Sequence, residues 1–298
     1  GVECVSRNGK GNADSLPDTA NPIFKAPGER SKVRSEGGHG DWAPADGLPD
    51  LYIAMGQTAE NVAELKGVSR EAMDEYGVMS QNKAEEAISR GFFEMDITPV
   101  TMPDGTVVSA DDGPRAGVTL DAVSQLKPAF RPDGRITAGN ACPLNDGAAA
   151  VVVMSRKRAE ELGIDPIARI IASSVSALNP EIMGLGPIEA IKRVLARANM
   201  SMSDIDLVEI NEAFAAQVLS NLQALSSKSF AESELGHTEA VGHPDIERIN
   251  VMGGSIAIGH PFGATGARLT ITILNEMARS GVQFGLSTVC AAGGMGFA

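Results

Sequence analysis

Two stretches in the last third of the chain repeat one order: an apolar run of strand length, a polar or reactive residue at its end, and a helical stretch beside it. Leu207-Val208-Glu209-Ile210 reads as a strand, Asn211 stands at its end, and residues 212–224 read as a helix. Gly263 to Ser280 reads as a helix with Leu269, Ile273, Leu274 and Met277 inward. Phe284 to Val289 reads as the next strand and ends at Cys290. Strands that alternate with helices are covered by those helices on their faces and leave only their ends open. This order predicts a layered α/β fold with its working groups at strand ends. A further helix, 187–198, opens at Pro187, where a missing N–H costs nothing.

The first half is less regular. Thr58 leads a short helical element that Gly67 closes, and Ser69 caps a longer one with Glu71 in its first turn. Ala72, Met73, Tyr76, Met79, Ala84, Ala87 and Ile88 recur near helical spacing, and Gly91 suits the helix end. Residues 96–108 read as short extended pieces around Pro103-Asp104-Gly105. The run 148–154 is apolar on both faces, as a central strand or a packed helix-to-strand junction would be. Residues 6–50 show no apolar period and read as loop, with Trp42 marking an excursion packed on something else; 225–248 read as an irregular polar loop.

Charge and composition exclude several classes. The chain has 25 Lys and Arg against 38 Asp and Glu, a formal charge of −13. Without a basic block, general nucleic-acid or anionic-membrane binding is not expected, although a local basic patch could hold a small anion. Aromatics are 4% and glycines number 33, so the core must rest on Ala, Val, Ile, Leu and Met around closely packed backbone. Cys4, Cys142 and Cys290 are too scattered for a disulfide framework, and a reducing cytoplasmic setting is expected. No apolar run reaches the roughly 20 residues of a membrane span. The chain opens without Met and stops inside an apolar run at Ala298, so the natural protein is expected to extend beyond Gly1 and beyond the C-terminus as well.

Three motifs carry chemistry. Between Gly253 and Gly266, six of fourteen positions are Gly or Pro, which fixes His260 on a tight turn before a helix. The spacing fits neither a P-loop nor a dinucleotide fingerprint. Cys290-Ala291-Ala292-Gly293-Gly294 places a thiol at a strand end, followed by small residues whose backbone N–H groups can face an oxyanion. A cysteine near a histidine can act as nucleophile or as acid and base. Asn211-Glu212-Ala213-Phe214 places an amide at a strand-to-helix junction, where it can cap the helix or hold a water. His39, His237, His243 and His260 have no metal-ligand spacing.

In this order the three motifs resemble those of the thiolase family, the CoA-dependent acyltransferases that cleave or form 3-ketoacyl-CoA. Gly56-Gln57-Thr58-Ala59-Glu60-Asn61, Thr137-Ala138-Gly139-Asn140 and Asn145-Asp146-Gly147-Ala148-Ala149-Ala150 extend the resemblance over essentially the whole chain. It implies a layered α-β-α-β-α fold with part of its N-terminal half missing. Residues 1–155 would be the remainder of that half, including an inserted loop domain over about 6–135, and 156–298 the C-terminal half.

The resemblance also implies roles. His260 activates the nucleophile and donates to the thioester oxygen, Cys290 moves the proton of the carbon acid, Asn211 holds an oxyanion water, and Ala292 supplies a backbone N–H where relatives often have Gly. Arg115, Phe130, Ala138, Cys142, Phe214 and Met55 would contact CoA or the acyl chain; Cys142 stands where many relatives have Ser. The family nucleophile falls before Gly1-Val2-Glu3, and Cys4 does not replace it, so the chain alone is expected to be inactive. CoA is implied as cosubstrate, with no permanent cofactor and no metal. Partners implied are acyl-CoA and CoA, a second copy in a homodimer or homotetramer, and in some relatives a hydratase/dehydrogenase subunit. The loop insert and the wording GGSIAIGHPFGATGAR resemble the long-chain degradative branch and its trifunctional-complex β-subunit relatives. The early segment GVECVSR through YIAMGQTAENVA resembles thiolases of bacterial lipid or steroid breakdown, so degradation of fatty acids or steroid side chains is implied. A biosynthetic acetoacetyl-CoA thiolase, a ketoacyl synthase relative with a Cys-His-His site, and a non-catalytic fragment are the alternatives.

Overall fold

The computed structural model describes residues 1–7 and 19–298. The part of the loop-like reading that covers 8–18 lies outside the described residues. β1 (Val2–Cys4) pairs antiparallel with β4 (Asp146–Ala148), and β2 (Val100–Thr101) with β3 (Val107–Val108). β5 (Val175–Ala177), β6 (Leu207–Ile210), β7 (Gly285–Ala291) and β8 (Met295–Phe297) form one sheet in the order β5-β8-β7-β6. β6 and β7 run parallel, with Leu207 opposite Gly285 and Ile210 opposite Thr288. The parallel pair is the one the sequence order required.

The core sits around α2 (Met55–Lys66), in which Gly56 through Ala63 are all buried. Gly, Ala and Thr at this helix let neighbours approach on every side. It packs against α7 (Ala215–Leu225) and against the 3-10 segment Pro180–Leu185. α6 (Gly186–Ala198) turns Ile188, Ile191, Val194 and Leu195 inward and keeps Glu189, Lys192 and Arg193 on its outer side. Each such apolar side chain contributes about 1.5–3 kcal/mol on burial. α3 (Arg70–Ser89) is capped by Ser69, whose side chain accepts from Ala72 N, as its sequence predicts. α10 (Phe262–Ser280) buries Leu269 and Ile273, with Leu274 and Met277 partly covered. No described helix is long and apolar enough to cross a membrane.

Five expectations need correction. Thr58 does not lead a helix: it lies inside α2, 1% exposed, with its hydroxyl donating to Met55 O. Residues 25–35, read as loop, form α1 (Lys25–Ser35). That helix carries no apolar stripe because polar links hold it: Arg34 pairs with Glu64 and Arg30 donates to Leu48 O. Within the 225–248 loop, α8 (Lys228–Leu235) forms behind a Ser227 cap, and Lys66 Nζ lies 4.0 Å above the Phe230 ring. The helix expected from 212 starts at 215, because Phe214 is extended and bridges Ala141. The apolar run 148–154 is no central strand among the described residues: Asp146–Ala148 pairs with β1, Ala149 exchanges hydrogen bonds with Gly1, and beyond it Val152 is 86% exposed with no described element packed on it. Trp42 is buried as expected, its indole N–H donating to Glu181 Oε2 at 2.9 Å.

Candidate active site

Parallel pairing brings two of the expected residues together. Ile210 lies opposite Thr288, and Asn211 N donates to Thr288 O at 2.9 Å. Asn211 and Cys290 therefore leave the carboxyl ends of neighbouring parallel strands, the place where layered α/β folds keep their sites. The segment before Cys142 is laid alongside by a polar clamp. Glu60 on α2 accepts from the backbone N–H groups of Arg135 and Ile136, and Asn140 Nδ2 donates to Asp74 Oδ1. Ala215 N then donates to Asn140 O, and Cys142 N donates to Ala213 O at 3.0 Å.

His260 stands on the turn between α9 (Ser255–Ile258) and α10. Gly259 has φ +103°, and a Cβ there would lie 2.5 Å from Asn145 Oδ1. Only glycine fits. Asn145 Oδ1 accepts from His260 N at 3.2 Å, so the space left by Gly259 is filled by the group that holds the histidine backbone. The imidazole is 9% exposed. Its Nδ1 lies 2.7 Å from Thr265 Oγ1 and its Nε2 3.2 Å from Asn211 Nδ2. Burial, then the cationic Arg268, pushes its pKa down to about 4, so it is a neutral base at physiological pH.

Cys290 is 5% exposed, and burial pushes its thiol up to about 12. Cys142 is likewise pushed up to about 12, by burial first and by the neighbouring Cys290 second. Both thiols hold their protons at neutral pH. A thiol that has given up its proton is then a strong base and readily takes one back. Ala292 lies exposed in the β7–β8 turn, which Gly293 and Gly294 close with φ +84° and +85°. A Cβ on Gly294 would meet Leu178 O at 2.1 Å.

The expected acyl and CoA contacts divide. The Phe130 and Phe214 rings meet edge to face at 6.0 Å, and a Cβ on Gly56, next to Met55, would enter the Phe130 ring at 2.2 Å. Phe130 and Phe214 thus stand side by side, with the start of α2 closed against Phe130 and the backbone of Cys142 bonded next to Phe214. Phe130 also lines an open groove of about 800 Å³ with Lys25, Lys32, Tyr52 and Ile53. Ala138 is exposed two residues before the buried Asn140. Arg115 lies outside the groove: its backbone N donates to Gln81 Oε1, and nearby Gly113 abuts the Ala257 carbonyl of α9.

Sequence reasoning passed over Asn145, Glu212, Ser255, Thr265 and Arg268. Glu212 is 1% exposed and accepts from Tyr76, Ser80, Asn250 and the Ile256 backbone. Thr265 and Arg268 lie three apart on α10, in register with the buried Thr272. Polar residues repeating along an inward helix face are the signal that could have found them. Of the remaining histidines, His39 meets Val33 O, His243 meets Ser226, and His237 is exposed. None shares the His260 cluster, which leaves a Cys-His-His site without its second histidine among the described residues.

Known proteins carry the same pattern. Residues 19–157 match the thiolase N-terminal domain family and residues 164–298 the thiolase C-terminal domain family. An acetyl-CoA acetyltransferase of Cupriavidus necator is 44% identical over all of this chain and 72% of its own length. A 3-ketoacyl-CoA thiolase of Bacillus subtilis is 42% identical over 86% of this chain and 64% of its own. Among solved structures, the Bacillus anthracis acetyl-CoA acetyltransferase superposes with a TM-score of 0.75 at 37% identity, covering 100% of this chain and 69% of that one. Human mitochondrial 3-ketoacyl-CoA thiolase in complex with CoA superposes with a TM-score of 0.75 at 34% identity, covering 87% of this chain and 64% of that one.

Proposed function

The chain belongs to the thiolase family, and from that premise we propose that it carries the acid–base and oxyanion groups of a CoA-dependent acyl transfer. The substrate class is 3-ketoacyl-CoA, cleaved to acyl-CoA and acetyl-CoA or formed from them. The observation that carries this reading is the meeting of Asn211 and His260, 3.2 Å apart, at the end of β6 beside β7, in which Cys290 is the last residue but one before the strand ends at Ala291.

The roles follow from protonation states. His260 is neutral and offers a base nitrogen for a thiol proton. Cys290 holds a proton to give to the acetyl-CoA carbanion when the carbon–carbon bond breaks, which leaves it a thiolate, and in the reverse direction that thiolate removes the proton. To Asn211 we assign the holding of a water, and to Ala292 a backbone N–H, that donate to the oxygens that become negative. None of Cys4, Cys142 and Cys290 is assigned the acyl-carrying role. To Met55, Phe130 and Phe214 we assign the acyl and pantetheine contacts, on the support of the Phe130–Phe214 pair and of Phe130 in the groove, where Lys25 and Lys32 offer cations to CoA phosphates. Arg115, away from that groove, could reach a phosphate only from the α9 side.

The test separates two half-reactions in the intact protein. Cys290→Ala should cut 3-ketoacyl-CoA cleavage by at least about 100-fold. The same variant should keep exchange of label between acetyl-CoA and CoA, which needs no carbon acid. Cleavage at the wild-type rate would overturn the role of Cys290.

A further inference from the structure

His260 has two ring nitrogens, and only one can carry the proton in the neutral base. Which one is fixed by a chain of hydrogen bonds that begins far from the ring. Arg268 Nη2 lies 2.7 Å from Ser255 Oγ. A guanidinium has donors and no acceptor, so Ser255 must accept there. The single Ser255 proton is left for Asn211 Oδ1, 2.7 Å away. That turns the Asn211 Nδ2 donors toward His260 Nε2 at 3.2 Å. Nε2 must then carry a lone pair, and the ring proton sits on Nδ1. On that side Thr265 Oγ1 accepts from Nδ1 at 2.7 Å and passes its own proton to Pro261 O at 3.0 Å. Reversing any one link alone sets two donors or two acceptors face to face. Reversing all of them together leaves the buried Ser255 hydroxyl proton without its Asn211 acceptor and takes the Thr265 proton off Pro261 O, two hydrogen bonds fewer.

We propose that Ser255, anchored by Arg268, is a positioning residue that locks the Asn211 amide and thereby holds His260 in the Nδ1–H tautomer, keeping the lone pair on Nε2, from which the 3.2 Å Asn211 contact withdraws when Nε2 takes a thiol proton. The two residues touch neither substrate nor reacting atoms; they act through Asn211. The arrangement is built into the core: Ser255 and Asn211 are 0% and 1% exposed, and Thr265 is 0%. Arg268 has Glu209 Oε2 3.8 Å away as its nearest carboxylate, beyond hydrogen-bond reach, so Ser255 takes one of its short polar contacts. The inference rests on the acid–base role proposed above for His260, but the tautomer itself can be read without turnover.

Histidine-labelled protein observed by long-range proton–nitrogen NMR reports the His260 tautomer directly, and steady-state kinetics on the intact protein reports the consequence. The wild type should show Nδ1–H. Ser255→Ala should show a mixture of tautomers, with kcat down about 10-fold and KM changed less than about twofold. Ser255→Thr, which keeps the hydroxyl, should restore both. Arg268→Gln places an acceptor where Arg has none, so the Ser255 proton can turn away from Asn211; its tautomer should resemble that of Ser255→Ala. A wild-type Nε2–H tautomer, or a Ser255→Ala variant with an unchanged tautomer and unchanged kcat, would overturn the inference. If the tautomers behave as stated and cleavage is absent in the wild type, the proposed reaction fails and the positioning role stands.

Discussion

Replacing Glu212 by Gln is the sharpest stability test of the site's foundation. The carboxylate faces four donors. Tyr76 Oη at 3.0 Å and Asn250 Nδ2 at 2.8 Å meet Oε1, while Ser80 Oγ at 2.6 Å and Ile256 N at 3.1 Å meet Oε2. Glutamine keeps one oxygen and puts an NH₂ in place of the other. The two hydroxyls can turn and accept from it. Asn250 cannot flip, because its Nδ2 also donates to Ile210 O and its Oδ1 accepts from Ile210 N, both at 2.8 Å. Ile256 N is backbone. Whichever way the amide turns, one fixed donor faces another.

A hydrogen bond to a charged acceptor contributes about 1.5–3 kcal/mol, and a buried donor left without a partner costs about 1–3 kcal/mol. Together they predict a loss of about 3–5 kcal/mol. At about 2–3 °C per kcal/mol for a chain of this size, the melting temperature should fall by roughly 10 °C. Calorimetry and urea titration at pH 7 would measure it. A melting temperature within about 2 °C of the wild type would refute the donor-against-donor argument, since no rearrangement of Asn250 or Ile256 N that spares β6 is open.

Two further outcomes follow from the histidine turn. Gly259→Ala places a residue with a side chain at φ +103° and drives its Cβ to 2.5 Å from Asn145 Oδ1. Backbone strain and the lost hold on His260 N should cost about 2–3 kcal/mol and lower kcat at least about 10-fold; a variant as stable as the wild type in urea melts would contradict the packing. For pH, the folded His260 titrates near 4 and its ordinary value is 6.5. Between those values the unfolded chain binds the extra proton, so stability is full above pH 6.5 and is lost as pH falls toward 4, by about 3 kcal/mol in all. The difference in unfolding free energy between wild type and His260→Asn should carry this slope, and a difference that is flat from pH 4 to 7 would count against a buried neutral ring.

The strand ends were legible because their signal is local. An apolar run closing on Asn211 or Cys290 states where a strand stops, and glycines around His260 state that the backbone is held tightly. What stayed hidden was long-range. Asn145 meets the Gly259–His260 turn across 115 residues, and Glu212 joins α3 to β6 across 132, with nothing in either neighbourhood naming its partner. α1 was missed for a related reason. Its holding contacts are Arg34 to Glu64 and Arg30 to Leu48 O, which leave no apolar period to read. The run 148–154 was misread because a strand-like composition says only that a segment could pair, and among the described residues Val151, Val152 and Val153 have no partner strand and stand exposed.

The two sides of the His260 ring end differently from a proton wire. On one side the hydrogen bonds close on Pro261 O, a carbonyl with no proton to pass on. On the other they begin at Arg268, a cation that cannot take one up. Neither path can hop protons to solvent. A proton that Nε2 receives from a thiol therefore cannot drain away through either chain of hydrogen bonds and stays on the ring until a group on the open side of Nε2 takes it.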